Sequence, residues 1–73
     1  MKKSFAMQDL DCANCAAKME AAIKKIEGVH DCSVNFFAQK LVLDAEDARF
    51  DDIVKQAEAA IRRVDGDCRL IVK

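Results

Sequence analysis

The stretch Val29-His30-Asp31-Cys32-Ser33-Val34-Asn35-Phe36, then Phe37-Ala38-Gln39, then Lys40-Leu41-Val42-Leu43-Asp44-Ala45 decides the fold. Cys32, Val34 and Phe36 alternate with Asp31, Ser33 and Asn35, and Leu41 and Leu43 share one face of the next segment, so the two runs read as a hairpin. Helical patterns lie on either side of it. Upstream, from Cys15, Ala16, Met19, Ala22, Ile23 and Ile26 recur at steps of three and four with Lys18, Glu20, Lys24 and Lys25 opposite, and Gly28 is expected as the C′ residue. Downstream, Asp47 suits an N-cap and Asp51 and Asp52 a first turn. The second helix carries Phe50, Ile53, Val54, Ala57, Ala60, Ile61 and Val64 inward, with Arg62 and Arg63 at its C-terminal end.

Farther out, Lys3 to Gln8 alternates around Phe5 and Met7, and Cys68-Arg69-Leu70-Ile71-Val72 follows the turn Asp65-Gly66-Asp67. Strand, helix, strand, strand, helix, strand is the order of a ferredoxin-like βαββαβ sandwich. The fold class is therefore α+β, a four-stranded antiparallel sheet with two helices on one face. With the usual strand order 4-1-3-2, the loop after strand one and the loop before strand four meet at one end.

Seventy-three residues predict a single domain, 1–73, that buries roughly 60% of its unfolded surface. With 52% hydrophobic and 34% charged residues the chain is globular, and 12 basic against 13 acidic side chains argue against nucleic acid as a partner. A signal h-region and a membrane-spanning stretch are both missing, so the expected location is cytoplasmic and the thiols are expected to be reduced.

Cys12 and Cys15 sit in Leu10-Asp11-Cys12-Ala13-Asn14-Cys15, where a strand gives way to a helix. Free amides at the helix start are expected to favour the thiolate of both, and two intervening residues let both sulfurs reach one soft or borderline ion. Other uses of C-x-x-C fit less well. A thioredoxin-like dithiol needs a cis-proline and the chain has no proline; a zinc ribbon needs a second pair, and only Cys32, Cys68 and His30 remain. Two thiolates with a carboxylate beside solvent would hold a transferable ion rather than a structural one.

These residues resemble the heavy-metal-associated domains of soluble metallochaperones and of heavy-metal P-type ATPases. The resemblance spans essentially the whole chain and includes Leu10, Cys12-x-x-Cys15, Ile26-Glu27-Gly28-Val29 and Val34-Asn35-Phe36. Asp11, directly before the first cysteine, is similar to the zinc, cadmium and lead pump subgroup, whereas copper members carry Thr, Ser or His there. The resemblance implies Asp11, Cys12 and Cys15 as the ligands of one Zn²⁺, Cd²⁺ or Pb²⁺. It also implies a membrane-embedded ATPase body as the partner that receives the ion or is regulated by it. Charge favours the same choice: three anions sum to −2 around Cu⁺ and to −1 around a divalent ion, and a carboxylate suits the latter. Cu⁺ is disfavoured as cargo.

The chain departs from the family at Asp9, where glycine is usual, and at Asp65-Gly66-Asp67, where an aromatic residue or lysine is frequent. Cys32 and Cys68 are expected in the core on opposite sheet edges, roughly 14 Å apart, with a third-thiolate role for Cys68 the alternative. Met7 and Met19 are expected as core, His30 exposed at the end remote from the ion, and Phe37 partly buried rather than a docking contact. The acidic stretch Asp44 to Asp52 reads as dipole compensation and solvation. The whole reads as a monomeric, non-catalytic metal-binding domain. A free-standing chaperone or scavenger, for Cu⁺ or Hg²⁺ as well, and a thiol oxidoreductase are the alternatives.

Overall fold

The structure is a computed structural model that describes residues 1–71. Strand β1 (Lys2–Gln8) leads into helix α1 (Ala13–Lys24), strands β2 (Val29–Asn35) and β3 (Lys40–Ala45) form the hairpin, and helix α2 (Phe50–Val64) precedes strand β4 (Arg69–Ile71). All neighbours in the sheet are antiparallel, in the order β2-β3-β1-β4. This is the expected ferredoxin-like arrangement. The Val72 end of the expected last strand lies outside the described residues.

Strand alternation does its work on one face. Phe5 and Met7 of β1, Cys32 of β2, Leu41, Leu43 and Ala45 of β3 and Leu70 of β4 are buried, whereas Ser4, Ala6 and Ser33 are exposed. α1 lies against β2, α2 against β4, and the helices pack on each other. They insert Met19, Ile23, Ile53, Ala57 and Ile61, each at 1% exposure or less, and the four larger of these side chains contribute about 1.5–3 kcal/mol apiece. Phe5 and Phe50 stack with ring centroids 6.4 Å apart.

Helix boundaries differ from the expected ones for local reasons. α1 begins at Ala13 rather than Cys15 because the Cys12 side chain caps it. It ends at Lys24, where the amides of Lys25 and Ile26 bond to the carbonyls of Ala22 and Ile23 and tighten the last turn. Gly28 is therefore not the C′ residue of α1. It turns the chain into β2 at φ +95°, with an ideal Cβ position only 2.8 Å from Ile53 Cδ1. Asp47 does not cap α2 either: it starts a 3-10 turn, Asp47–Arg49, and neither helix start there has a side-chain cap. Asp51 and Asp52 in the first turn of α2 and Arg62 and Arg63 in the last match the macrodipole as expected.

Register separates the two ends of the molecule. At one end Ala6 pairs with Lys40 and Gln8 with Arg69; at the other Lys2 pairs with Asp44 and Val29 with Ala45. The β1–α1 loop, the β2–β3 hairpin and the α2–β4 turn thus gather together. His30 sits at the opposite end, exposed, where the β2–β3 register shifts.

Candidate metal centre

The loop after β1 is shaped by its backbone. Asp9 adopts φ +62°, in the left-handed region, which explains why glycine is usual at this position. Leu10 then dives into the core, 2% exposed, and leaves Asp11 at the surface. Cys12 is extended, at φ −131° and ψ 121°, and occupies the N-cap of α1, which puts Cys15 in the first helical turn.

The Sγ of Cys12 accepts from the Cys15 amide at 3.4 Å, and the Cys12 carbonyl accepts from Ala16 at 3.0 Å. Sulfur takes the place that a Ser or Asp oxygen holds in most caps. Both thiols are half-buried.

Electrostatically the pair is unequal, which corrects the expectation that both favour the thiolate. The Cys15 amide, the Cys15 side chain, the Asn14 amide and the Lys18 charge draw the Cys12 thiol below its ordinary value. Cys15 moves upward, chiefly because its own thiol donates to Cys12, then through burial and the charges of Cys12 and Asp65. Cys12 is therefore the more nucleophilic sulfur of the two, and Cys15 the one that keeps its proton more readily.

Asp11 lines an open groove with Gln8, Asp9, Gly66, Asp67 and Arg69. Among the described residues no three His, Cys, Asp or Glu side chains converge on a common point. The fold therefore brings the two thiols together and leaves the Asp11 carboxylate outside that pair. Cys68 is fully buried just before β4, and burial, then the charges of Asp65, Asp9 and Asp11, push its thiol up. Cys32, in β2 on the other outer strand, is pushed up to about 11, mainly by burial. Both are core residues, as are Met7 and Met19.

Phe37 corrects the sequence reading. It is 94% exposed at the hairpin tip, its ring edge-on to half-buried Phe36 with centroids 5.5 Å apart. Gln39, read only as a turn residue, proves to touch the cysteine loop: its side chain bonds to both peptide groups of Leu10. Its left-handed backbone, φ +53°, gave no sequence signal, since glutamine is not a residue that favours that region.

With the paired thiols at a helix start in this fold, comparison with known proteins is decisive. Residues 4–65 match the heavy-metal-associated domain. The chain belongs to the heavy-metal-associated domain family. This family domain is a metal-binding module and not a catalytic one. It is 32% identical over 65 residues to the "Cadmium, zinc and cobalt-transporting ATPase" of Bacillus subtilis, covering 89% of this chain and 9% of the relative. It is 38% identical over 60 residues to the "Zinc/cadmium/lead-transporting P-type ATPase" of Escherichia coli, covering 82% of this chain and 8% of the relative. The heavy-metal-associated domain thus spans less than a tenth of either pump. Among solved structures, the N-terminal domain of ZntA in the Zn(II) form superposes with a TM-score of 0.73 at 34% identity, covering 96% of this chain and 88% of that one. The "CopZ metallochaperone" shares the fold with a TM-score of 0.76 at 21% identity, covering 97% and 100%. Domains described as belonging to copper(I) and potential copper-translocating ATPases adopt it too.

Proposed function

We propose that residues 1–73 act as one domain that binds a single Zn²⁺, Cd²⁺ or Pb²⁺ through Cys12, Cys15 and Asp11. On the cytoplasmic side, as a monomer, it delivers that ion to the membrane-embedded body of a heavy-metal-transporting P-type ATPase, or regulates it. None of its own helices among the described residues is long and apolar enough to cross a membrane.

The observation that carries this reading is the capped pair itself: Cys12 and Cys15 joined across 3.4 Å at the start of α1, with exposed Asp11 directly before them. In this reading Asp11, exposed and directly before Cys12, moves to the ion as its third ligand. Three anionic ligands leave −1 on a divalent ion and −2 on Cu⁺, which sets the preference. Because the loop lies at the surface, an incoming thiolate or carboxylate adds to the ion before an old ligand leaves. The cargo passes without being free.

Competitive titration of the native domain and Asp11→Ala with zinc, cadmium and copper(I), followed by ultraviolet thiolate absorption, tests the proposal. The chain has no tyrosine or tryptophan to obscure that signal. Asp11→Ala is expected to weaken zinc and cadmium and to leave or improve copper(I). Unchanged affinity for all three would remove Asp11 from the ligand set, and the divalent preference with it.

A further inference from the structure

The side chain of Gln39 bridges two loops. Its Nε2 donates to the Leu10 carbonyl at 2.7 Å and to the Phe36 carbonyl at 2.7 Å, while its Oε1 accepts from the Leu10 amide at 3.1 Å. Its backbone joins in, since the Gln39 carbonyl accepts from the Met7 amide at 2.7 Å. The regular β1–β3 register stops one pair earlier, at Ala6 and Lys40.

Leu10 is 2% exposed, so its peptide groups have little water to turn to. Among the described residues, the Gln39 carboxamide satisfies both of them, and leaving them unpaired would incur their desolvation cost. Gln39 holds φ +53° while it does so. Non-glycine residues persist in that region where the surroundings over-determine them, and four hydrogen bonds to three residues do so here.

We infer that Gln39 is a positioning residue for metal capture: it staples the hairpin to the metal loop at Leu10 and so fixes where Cys12, two residues on, stands relative to Cys15. This rests on the reading of Cys12 and Cys15 as ligands. A tethered loop has less freedom left to lose when the sulfurs close on an ion, so the staple raises affinity without touching the ion.

Three variants separate positioning from folding. Gln39→Met keeps the length and loses all three side-chain bonds. Gln39→Gly loses them as well but relieves the left-handed backbone, which offsets part of the stability cost. Gln39→Glu keeps the acceptor for the Leu10 amide and loses both donors. Zinc affinity would be measured by competition with a chromophoric chelator, alongside Leu10 amide hydrogen exchange and the urea midpoint.

Zinc affinity is expected to fall on the order of tenfold in the Met and Gly variants, equivalent to about 1.4 kcal/mol. The Glu variant should be intermediate. Leu10 exchange should accelerate in the Met and Gly variants and least in the Glu variant, which keeps the Leu10 amide's acceptor, and the urea midpoint should fall less in Gln39→Gly than in Gln39→Met. Native zinc affinity in the Met and Gly variants despite faster Leu10 exchange overturns the proposal, as does an affinity loss that tracks the urea midpoint alone. If the native domain binds neither zinc, cadmium nor copper(I), the metal-binding reading itself fails. The rate at which iodoacetamide modifies Cys12 then decides whether Gln39 positions that residue: a changed rate in Gln39→Gly supports it and an unchanged one overturns it.

Discussion

The Sγ of Cys12 and the amide of Cys15 lie 3.4 Å apart in a hydrogen bond, so one cysteine caps the helix that carries the other. The bond favours Cys12 as thiolate and leaves Cys15 as its proton donor. At neutral pH iodoacetamide should therefore modify Cys12 first, roughly threefold or more ahead of Cys15. Buried Cys32 and Cys68 should stay unmodified until the chain unfolds. Peptide mapping by mass spectrometry after short exposures checks the order, and Cys15 reacting first would contradict the cap.

Alkaline stability should carry the signature of Cys32. Its folded value of about 11 stands above the ordinary 9.0, so the folded chain keeps a proton that the unfolded chain releases. That contribution is complete below about pH 9 and is lost as pH rises through about 11. Urea midpoints measured across this window should decline in the native chain and decline less steeply in Cys32→Ala. Parallel slopes would mean that the thiol stays protonated in neither state or in both.

Gly28→Ala should destabilise the domain by about 1–3 kcal/mol. The new Cβ would meet Ile53 Cδ1 at 2.8 Å on a backbone held at φ +95°, and two costs combine. Gly28 lies at the end away from the cysteines, so zinc affinity of the folded variant should be unchanged. Denaturation curves and a metal titration on the same preparation test both halves.

Asp9→Ala should cost about 1 kcal/mol and Asp9→Gly should be neutral or stabilising, because φ +62° penalises Ala most, Asp less and Gly hardly at all. Thermal midpoints of the two variants settle it. Equal losses in both would show that the carboxylate, rather than the backbone, matters at this position.

Most of the architecture was legible because the core obeys simple periods. Phe5 and Met7, Leu41 and Leu43, and Met19 and Ile23 fall inward at steps of two or four, and each is buried. The cysteine motif at the strand-to-helix junction was equally plain. What escaped depends on single interactions that no period encodes. Cysteine is not a usual cap, so the start of α1 at Ala13 and the unequal pair followed from one sulfur and one amide. Asp47 looked like a cap but entered a 3-10 turn of its own. Alternation stops at Asn35, whose Oδ1 accepts from the Ala38 amide at 2.9 Å, so beyond it nothing in the pattern set the exposure of Phe37 or aimed Gln39 at Leu10.

The two-ended layout of the sheet bears on how such a domain could be carried. β1 enters at Lys2, beside Asp44, and β4 runs antiparallel to β1, away from the cysteine end, through Ile71. A leash attached ahead of β1 would leave from the pole opposite the sulfurs, whereas Ile71 still pairs with Ala6 toward the sulfur end. An attachment on the β1 side therefore keeps clear of Cys12 and Cys15.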